Sequence, residues 1–399
     1  MNTPTRTGRV PYLSSRLQGL GTTVFAEMSA LAERTGSINL GQGFPDRDGP
    51  AEVAEAAVAA IRAGRNQYPP GPGIPELLQA IAAHQQRFYG SVFDPESEVL
   101  VTAGATEAIT AAILALCETG DEVVVFEPFY DSYGAAIAMA GAQRRVVPLV
   151  PPAWSFDEDR LASVITPRTR LLLVNTPHNP TGKVFSPEEL ESVARVCRDH
   201  DLLALTDEVY EHLVFEGSHV PLGTLPGMAE RTLTVSSAGK TFAFTGWKVG
   251  WVCGPAALVS AVRTVKQFLT YVNGAPFQPA VAAGLGMPDD YFAGSAAALR
   301  DGRDRLCSGL EQAGFDVYQP HATYFVVTGV EGLGCADGVS FCRELPERCG
   351  VVAVPAAAFY DDPRRARPLV RFAYCKQPEV LAEAVRRLIG LSPVGATSA

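Results

Sequence analysis

Short apolar segments alternate with longer amphipathic segments through the middle of the chain. Several of the short segments are continuous apolar runs, which is typical of strands buried on both faces of a parallel sheet. The predicted strands cover residues 98–102, 122–126, 145–149, 170–174, 202–206, 232–236 and 249–253. Helices are predicted between some of them, such as 105–117 and 187–200. Ser186 and Glu189 have the spacing of a capping box at the start of the second helix. The pattern predicts a large α/β domain with a mostly parallel central sheet over residues 45–285.

The pattern changes after about residue 285. The predicted elements there are a long helix over 289–313, strands over 324–328 and 369–373, and a closing helix over 378–389. This arrangement predicts a smaller α+β domain over residues 286–399, and we expect the N-terminal segment 1–44 to join it.

Composition narrows the possible functions. The chain has 399 residues, of which 47% are hydrophobic and 19% are charged, so a disordered chain is excluded. Lysine and arginine number 33 against 43 acidic residues, which gives a net charge of −10 and argues against nucleic acid as the main partner. No apolar run approaches the ~20 residues that span a bilayer, and the N-terminus has no apolar core of a secretory signal. We therefore expect no membrane partner and a cytoplasmic location.

Cysteine and lysine usage bears on the chemistry. The eight cysteines are scattered, none forms a CxxC pair, and no Cys/His group has the sequence spacing of zinc ligands. Reduced thiols and no metal site are therefore expected. Lysine is rare, so each lysine is a candidate where an amine rather than a guanidinium is required. The five lysines are Lys183, Lys240, Lys248, Lys266 and Lys376.

Small, polar or aromatic residues follow five of the predicted strands. These exit segments are 103–107, 127–131, 175–182, 207–210 and 236–240. Ligands of open α/β sheets bind at the carboxyl ends of the strands, so the five segments favour one shared site over five ordinary loops. Backbone N–H groups at residues 104–106 open a helix and suit a phosphate, although glycine also serves turn geometry. Tyr130 offers an aromatic face to a planar ring, or it simply packs in the core.

Four further side chains complete a recognisable set. Asp207 directly follows an apolar strand, so its carboxylate would be partly buried and would need a cationic partner. Asn179 and Tyr210 can hydrogen-bond to a ring oxygen. Lys240 lies among small residues, where a lysine can have a lowered pKa and act as a nucleophile. A phosphate, a planar ring, a buried carboxylate and an imine-forming lysine together indicate pyridoxal 5'-phosphate.

Eight motifs, distributed from about residue 22 to 390, carry a family resemblance. They are INLGQGFPD (38–46), NQYPPGPG (66–73), VTAGATEAI (101–109), EPFYDSY (127–133), NTPHNPTGKVF (175–185), TDEVYEHLVF (206–215), SSAGKTFAFTGWKVGW (236–251) and VRFAYCK (370–376). On these residues the sequence resembles the class I aminotransferases of the fold-type I pyridoxal-phosphate enzymes. It is most similar to the branch of kynurenine, methionine and N-succinyldiaminopimelate aminotransferases, and APFQPAVA (275–282) leans toward the last of these.

The resemblance implies a role for each of the cofactor-binding residues. Lys240 would link covalently to the cofactor and then move the substrate proton, and Asp207 would pair with the pyridine nitrogen. Tyr210 and Asn179 would bind the ring's phenolic oxygen, while Tyr130 would stack on the ring. The residues implied at the phosphate are Gly104, Ala105, Thr106, Ser237 and Lys248 from one subunit and Tyr68 from its neighbour. The implied assembly is thus a homodimer with shared active sites.

The resemblance also implies a substrate site. Arg371 would bind the α-carboxylate, Gly43 and Asn179 would contact the substrate, and Phe25 would line the side-chain pocket. Arg371 lies inside an apolar predicted strand, so the alternative for it is a structural ion pair with an acidic residue.

The predicted function is transfer of the amino group of an L-amino acid to a 2-oxo acid, with 2-oxoglutarate as the expected acceptor. The alternative is a pyridoxal-phosphate lyase or replacement enzyme that acts at Cβ or Cγ of an amino acid. A binding module that retains the fold without turnover is disfavoured, because the chain devotes almost all of its length to the catalytic fold and is acidic. Departures from the family pattern at Thr106, Ala243 and Phe244 leave the substrate open.

Overall fold

The computed structural model describes residues 12–18 and 23–391. Its strands are β1 (Ile38–Asn39), β2 (Val99–Thr102), β3 (Glu122–Glu127), β4 (Gln143–Pro148), β5 (Thr169–Asn175), β6 (Leu203–Asp207), β7 (Thr232–Ser237), β8 (Gly250–Cys253), β9 (Asp316–Tyr318), β10 (Phe325–Gly329), β11 (Val351–Val352), β12 (Val354–Pro355) and β13 (Leu369–Ala373). Its α-helices are α1 (Val24–Thr35), α2 (Ala51–Arg62), α3 (Pro75–Tyr89), α4 (Ala105–Leu116), α5 (Asp131–Ala140), α6 (Glu158–Ser163), α7 (Pro187–Asp199), α8 (Ala238–Thr241), α9 (Ala256–Leu269), α10 (Phe277–Leu285), α11 (Asp289–Gln312), α12 (Gly338–Cys349) and α13 (Pro378–Ile389).

A seven-stranded sheet in the order β2-β8-β7-β6-β5-β3-β4 forms the centre of the molecule. All seven predicted strands are present, with bounds that differ by two residues at most. Only β8 runs antiparallel to both of its neighbours, so the predicted α/β fold with a mostly parallel central sheet is confirmed.

Alternate residues of the central strands pack on opposite faces of this sheet. Leu171 and Leu173 of β5 belong to one hydrophobic cluster, whereas Leu172 and Val174 belong to another. Each strand is therefore buried on both sides, which explains the continuous apolar runs in the sequence. Polar side chains are accommodated where the strands end, and this confines the chemistry to the edge of the sheet.

A second sheet lies in the C-terminal part of the chain. Its four strands follow the order β12-β13-β10-β9 and pair antiparallel, and α11 packs against α13 and β9. The N-terminal strand β1 pairs with β11, and α1 contacts α12. The division into domains at residues 44 and 285 stays a prediction, and residues 1–11, 19–22 and 392–399 of the smaller one lie outside the described part.

Local signals position several helices as expected. Ser186 and Glu189 form both hydrogen bonds of the predicted capping box at α7. At the start of α4, Gly104 has a φ of +79°, a conformation that favours glycine. A Cβ atom on Gly250 would lie 2.8 Å from the backbone nitrogen of Ala105, so β8 can pass this close only with glycine there. Among the described residues, every helix is too short or too polar to span a bilayer.

Candidate active site

A cavity of about 420 Å³ opens at the carboxyl ends of the central strands, beside the start of α4. Its wall contains every site residue predicted from the sequence except Tyr68. The strand exits therefore converge as expected, because parallel strands end at the same edge of a sheet. The N-terminal segment adds Phe25 and Gly43 to the wall, and β13 adds Arg371.

Lys240 lies in the short helix α8, directly after β7. Its Nζ donates to Tyr324 Oη at 2.9 Å and lies 3.5 Å from the carbonyl oxygen of Gly43. Tyr324 in turn donates to the same carbonyl oxygen at 2.7 Å. Burial lowers the pKa of Lys240 to about 8, with Asp207 and Cys375 opposing the shift. A substantial fraction of this amine is therefore neutral near physiological pH and able to act as a nucleophile or base.

Only glycine fits at position 43, because the backbone lies directly against Phe325 of β10. A Cβ atom built on it would lie 2.5 Å from Phe325 Cζ, too close for any side chain. This close approach of the backbone to β10 brings the carbonyl oxygen of Gly43 within reach of Tyr324 and Lys240.

Asp207 ends β6 and is 5% exposed. Tyr133 Oη donates to Asp207 Oδ2 at 2.5 Å, and burial raises the pKa of the carboxyl to about 6. In the part of the chain that the structure describes, no lysine or arginine forms an ion pair with Asp207. The carboxylate thus has room for a cationic group from a ligand.

The opposite end of the cavity is suited to an anion. The N-terminus of α4 presents its free N–H groups there, and the hydroxyl of Ser237 makes no capping hydrogen bond. Lys248 Nζ would lie 3.3 Å from a Cβ atom at Gly104, and within the described residues Lys248 Nζ has no hydrogen bond or ion pair. A cation without a partner beside a helix N-terminus favours a bound phosphate.

Arg371 is the most enclosed charge of the site, at 1% exposure. Its Nη1 donates to Asn179 Oδ1 at 3.0 Å, and its Nη2 donates to the carbonyl oxygen of Gly41 at 2.9 Å. No carboxylate of the described residues lies in ion-pair contact with it, so the alternative of a structural ion pair is not what the structure shows. Burial lowers the pKa of Arg371 only to about 10, so the guanidinium stays charged at neutral pH.

Aromatic rings enclose this guanidinium. Its Cζ lies 5.1 Å from the ring centre of Phe25, 4.0 Å from that of Phe325 and 4.8 Å from that of Phe359. The negative faces of aromatic rings partly offset a buried positive charge without occupying its donors. Nε of Arg371 has no partner in the described residues and remains available.

Asn179 is held in place by hydrogen bonds of Asn175, which lies four residues before it in the same loop. Asn175 Oδ1 accepts from the backbone nitrogen of Asn179 at 2.8 Å, and Asn175 Nδ2 donates to the carbonyl oxygen of Asp207 at 2.8 Å. Asn179 Oδ1 already accepts from Arg371, so its predicted contact with a ring oxygen stays a prediction. Tyr210 packs its ring edge-on against Tyr324 at 5.3 Å, and its predicted contact likewise stays a prediction.

Tyr130 lines the cavity at the start of α5. Its ring packs edge-on against the ring of Tyr133, with centres 5.8 Å apart. Burial raises the pKa of Tyr130 to about 12, so its hydroxyl stays protonated at neutral pH. This contact helps to fix the orientation of the Tyr130 ring, and stacking on a cofactor stays a prediction.

Tyr68 is the predicted residue that lies outside the cavity of its own chain. It lies in the loop between α2 and α3, is 81% exposed and packs edge-on against Tyr271 at 5.4 Å. Its implied role at the phosphate thus requires a second copy of the chain.

Three residues of the site were not singled out from the sequence. Tyr133 lies one helical turn after Tyr130, and Asn175 directly follows the predicted strand 170–174, so both had a local signal. Tyr324 precedes β10 of the second sheet, where the rule of polar strand exits does not apply. Only the packing of the two sheets brings it to Lys240.

Three comparisons with known proteins agree with this geometry. The family model described as "Aminotransferase class I and II" matches residues 35–388. The "Probable N-succinyldiaminopimelate aminotransferase DapC" of Mycobacterium tuberculosis (strain ATCC 25618 / H37Rv) is 53% identical and covers 96% of this chain and 99% of its own. The "Methionine aminotransferase" of Escherichia coli (strain K12) is 39% identical, over 94% of this chain and 97% of its own. A solved structure of N-succinyldiaminopimelate aminotransferase from Mycobacterium tuberculosis superposes with a TM-score of 0.94 at 54% identity, over 95% of this chain and 100% of that one.

Proposed function

Because the chain belongs to the class I and II aminotransferases, which move an amino group between an amino acid and a 2-oxo acid, we propose that it uses pyridoxal 5'-phosphate held in the candidate active site. The chain is thus an aminotransferase. The alternative of a lyase or replacement enzyme is not favoured, since the similar proteins reported above are aminotransferases. A cytoplasmic location stays a prediction.

One observation supports the choice of cofactor: Lys240, Asp207 and Lys248 all line the cavity, and such a molecule has a group to complement each of them. The amine of Lys240 would bind the aldehyde, Asp207 would pair with a protonated ring nitrogen, and Lys248 with the start of α4 would hold the phosphate. When bound, the cofactor supplies an electron sink that stabilises negative charge at the substrate Cα.

The residues of the chain supply binding and proton transfer. Arg371 would hold the substrate carboxylate as a fork through two parallel hydrogen bonds. Lys240, oriented by Tyr324, would take the proton from the substrate Cα and deliver it to the cofactor carbon that carries the aldehyde, and it would move a proton in the reverse direction in the second half of the reaction. The lowered pKa of Lys240 matches this task, because a base works best when its pKa is near the working pH.

For the amino donor we propose N-succinyldiaminopimelate, with 2-oxoglutarate as the acceptor. The support is similarity, because the relative named for that donor is 53% identical over 96% of this chain, whereas the methionine aminotransferase is 39% identical. A single-turnover screen tests the donor. Cofactor-loaded protein is mixed with N-succinyldiaminopimelate, methionine, kynurenine or glutamate, and conversion of the cofactor to its amino form is followed by absorbance. The first compound is expected to react with the highest second-order rate constant. A faster reaction with methionine or kynurenine would replace the proposed donor.

Covalent capture tests the cofactor assignment. After borohydride reduction and peptide mapping, a covalent pyridoxal label on Lys240 is expected with the unchanged chain and with Lys376→Ala. No covalent label is expected with Lys240→Ala, which can still bind the cofactor non-covalently. Because only the neutral amine reacts, the capture rate is expected to rise with pH through about 8, the pKa of Lys240. Borohydride labelling at Lys248 or Lys266 would contradict the assignment.

We further propose that the active unit is a homodimer. Tyr68, Phe268 and Tyr271 expose 81%, 83% and 55% of their surface, an unusual amount for aromatic rings. A second copy that covers them would bring Tyr68 to the phosphate end of the partner's cavity.

A further inference from the structure

A largely buried group of histidine and glutamate side chains lies outside the cavity, between α3 and the residues that follow β6. His84 comes from α3, and Glu211 and His212 follow Tyr210 in the chain. One ligand atom of each of the three lies within 4.8 Å of the others, and the two Nε2 atoms of the histidines are 2.7 Å apart. None of the three lines the active-site cavity. We call them the His–Glu cluster.

The charges around the cluster do not balance. Glu208 and Glu211 are 0% and 4% exposed, and within the described residues neither pairs with a lysine or arginine. Glu208 contacts His219 at 2.7 Å, and one oxygen of Glu211 accepts from Ser236. The second oxygen of Glu211 is buried without a close hydrogen bond, and the neutral hydroxyl of Tyr89 is the other polar group beside this carboxylate. A buried carboxylate of this kind needs either a proton or a cation.

The two imidazoles meet through ring nitrogens, the atoms with which histidine binds metal ions. Their Nε2 atoms are 2.7 Å apart, and Nδ1 of His84 is buried without a hydrogen bond. Imidazole nitrogen is a common ligand of zinc-class ions. The rings of Phe88 and Phe292 pack against His212 at 4.7 and 4.3 Å and shield the cluster from water.

We propose that His84, His212 and Glu211 bind one divalent ion of the zinc class. Tetrahedral zinc with Zn–N distances of about 2.0–2.1 Å holds two nitrogens about 3.4 Å apart. The two Nε2 atoms would therefore have to move apart by about 0.7 Å, which a small rotation of the rings provides.

The role of the ion is structural. His84 belongs to α3, whereas Glu211 and His212 directly follow the segment that carries Asp207 and Tyr210. An ion bound by all three residues would link α3 to this segment of the active-site wall, outside the cavity. In the sequence, His84 and Glu211 are 127 positions apart, so no motif of linear spacing reveals the cluster.

Metal analysis of the cofactor-loaded protein tests the proposal. Bound metal is removed with a chelator, and the protein is then dialysed against buffered Zn²⁺. The zinc content per chain is measured by elemental mass spectrometry. One equivalent per chain is expected in the unchanged protein and in the exposed control His200→Gln. His84→Gln and the isosteric Glu211→Gln are expected to lose it. Zinc is expected to raise the melting temperature of the first two proteins only.

Spectroscopy of the unchanged protein makes the test independent of how the variants fold. Co²⁺ substitution is expected to give the strong visible absorption of a tetrahedral site, and X-ray absorption at the zinc edge is expected to show nitrogen and oxygen ligands only. Sulfur ligands would assign the ion to cysteines and overturn the proposal. Absence of a stoichiometric ion, or its retention in both His84→Gln and Glu211→Gln, would also overturn it and leave a neutral histidine pair beside a protonated Glu211.

Discussion

Asp207 and Arg371 are charged side chains kept in the interior without a protein partner of opposite charge among the described residues. Burying such a group costs several kcal/mol unless something compensates it. Tyr133 and the ring faces around Arg371 offset part of this cost through one hydrogen bond and three aromatic contacts. A charged ligand bound in the cavity would offset the rest of this cost. The two residues can be tested by separate substitutions.

Replacement of Asp207 separates charge from shape. Asp207→Asn is expected to keep the fold and most cofactor binding but to slow Cα deprotonation about 10²–10⁴-fold, because an amide cannot hold the ring nitrogen protonated. The measurement is exchange of the Cα hydrogen of the donor with solvent deuterium. Tyr133→Phe removes only the hydrogen bond to the carboxylate and should cost far less. Exchange at the unchanged rate in Asp207→Asn would remove the argument for charge.

Replacement of Arg371 tests the carboxylate site. Arg371→Lys keeps a positive charge but cannot form two parallel hydrogen bonds, so substrate binding should weaken by about 1.5–3 kcal/mol, equivalent to roughly 10–150-fold in KM. All α-carboxylate substrates should be affected alike, and cofactor content and melting temperature should stay nearly unchanged. Amines without a carboxylate serve as the control. An unfolded variant, or equal losses with these amines, would make Arg371 a structural residue.

At the scale of elements, most of the site is predictable from the residues that follow the strands. Continuous apolar runs identify buried parallel strands, and such strands end at one edge of the sheet. The sequence alone therefore predicts that residues as distant as Gly104 and Lys240 lie in the same site. Contacts between the two sheets follow no such rule. Tyr324 reaches Lys240 from the second sheet, and His84 reaches His212 from α3. Periodicity reports which face of an element is buried, but not which partner covers it.

Lys266 joins two elements that carry the exposed aromatic residues. It is 1% exposed, and its Nζ donates to the carbonyl oxygens of Gly71 and Tyr271 at 2.9 Å each. Lys266→Met should leave both carbonyls unsatisfied and lower the free energy of unfolding by about 1–3 kcal/mol. It should also weaken pyridoxal phosphate binding, because the loop with Tyr68 loses its anchor.

Urea unfolding and cofactor titration measure the two effects of Lys266→Met. Lys376→Met is the matched control, since Lys376 donates to Phe44 and has no contact with the loop. Cofactor affinity equal to that of the control would show that this loop does not serve the phosphate.

At the scale of the whole molecule, complementation tests the shared site. Lys240→Ala and Tyr68→Phe chains, each impaired alone, are unfolded, mixed in equal amounts and refolded together. If Tyr68 serves the partner's cavity, half of the dimers are mixed and each has one intact site, so about a quarter of all sites regain activity. A tyrosine that served its own chain would give no intact site in any mixed dimer, and activity would stay at the level of the separate variants.

The segment between β1 and α2 has a consequence for the order in which the protein matures. Its carbonyl at Gly41 holds Arg371, and its carbonyl at Gly43 holds Tyr324, so residues near the start of the chain are completed by residues near its end. During synthesis the seven strands of the central sheet leave the ribosome long before residue 371 does. A nascent chain can therefore build the cofactor end of the cavity first, and it acquires the means to hold a substrate only when translation is almost finished.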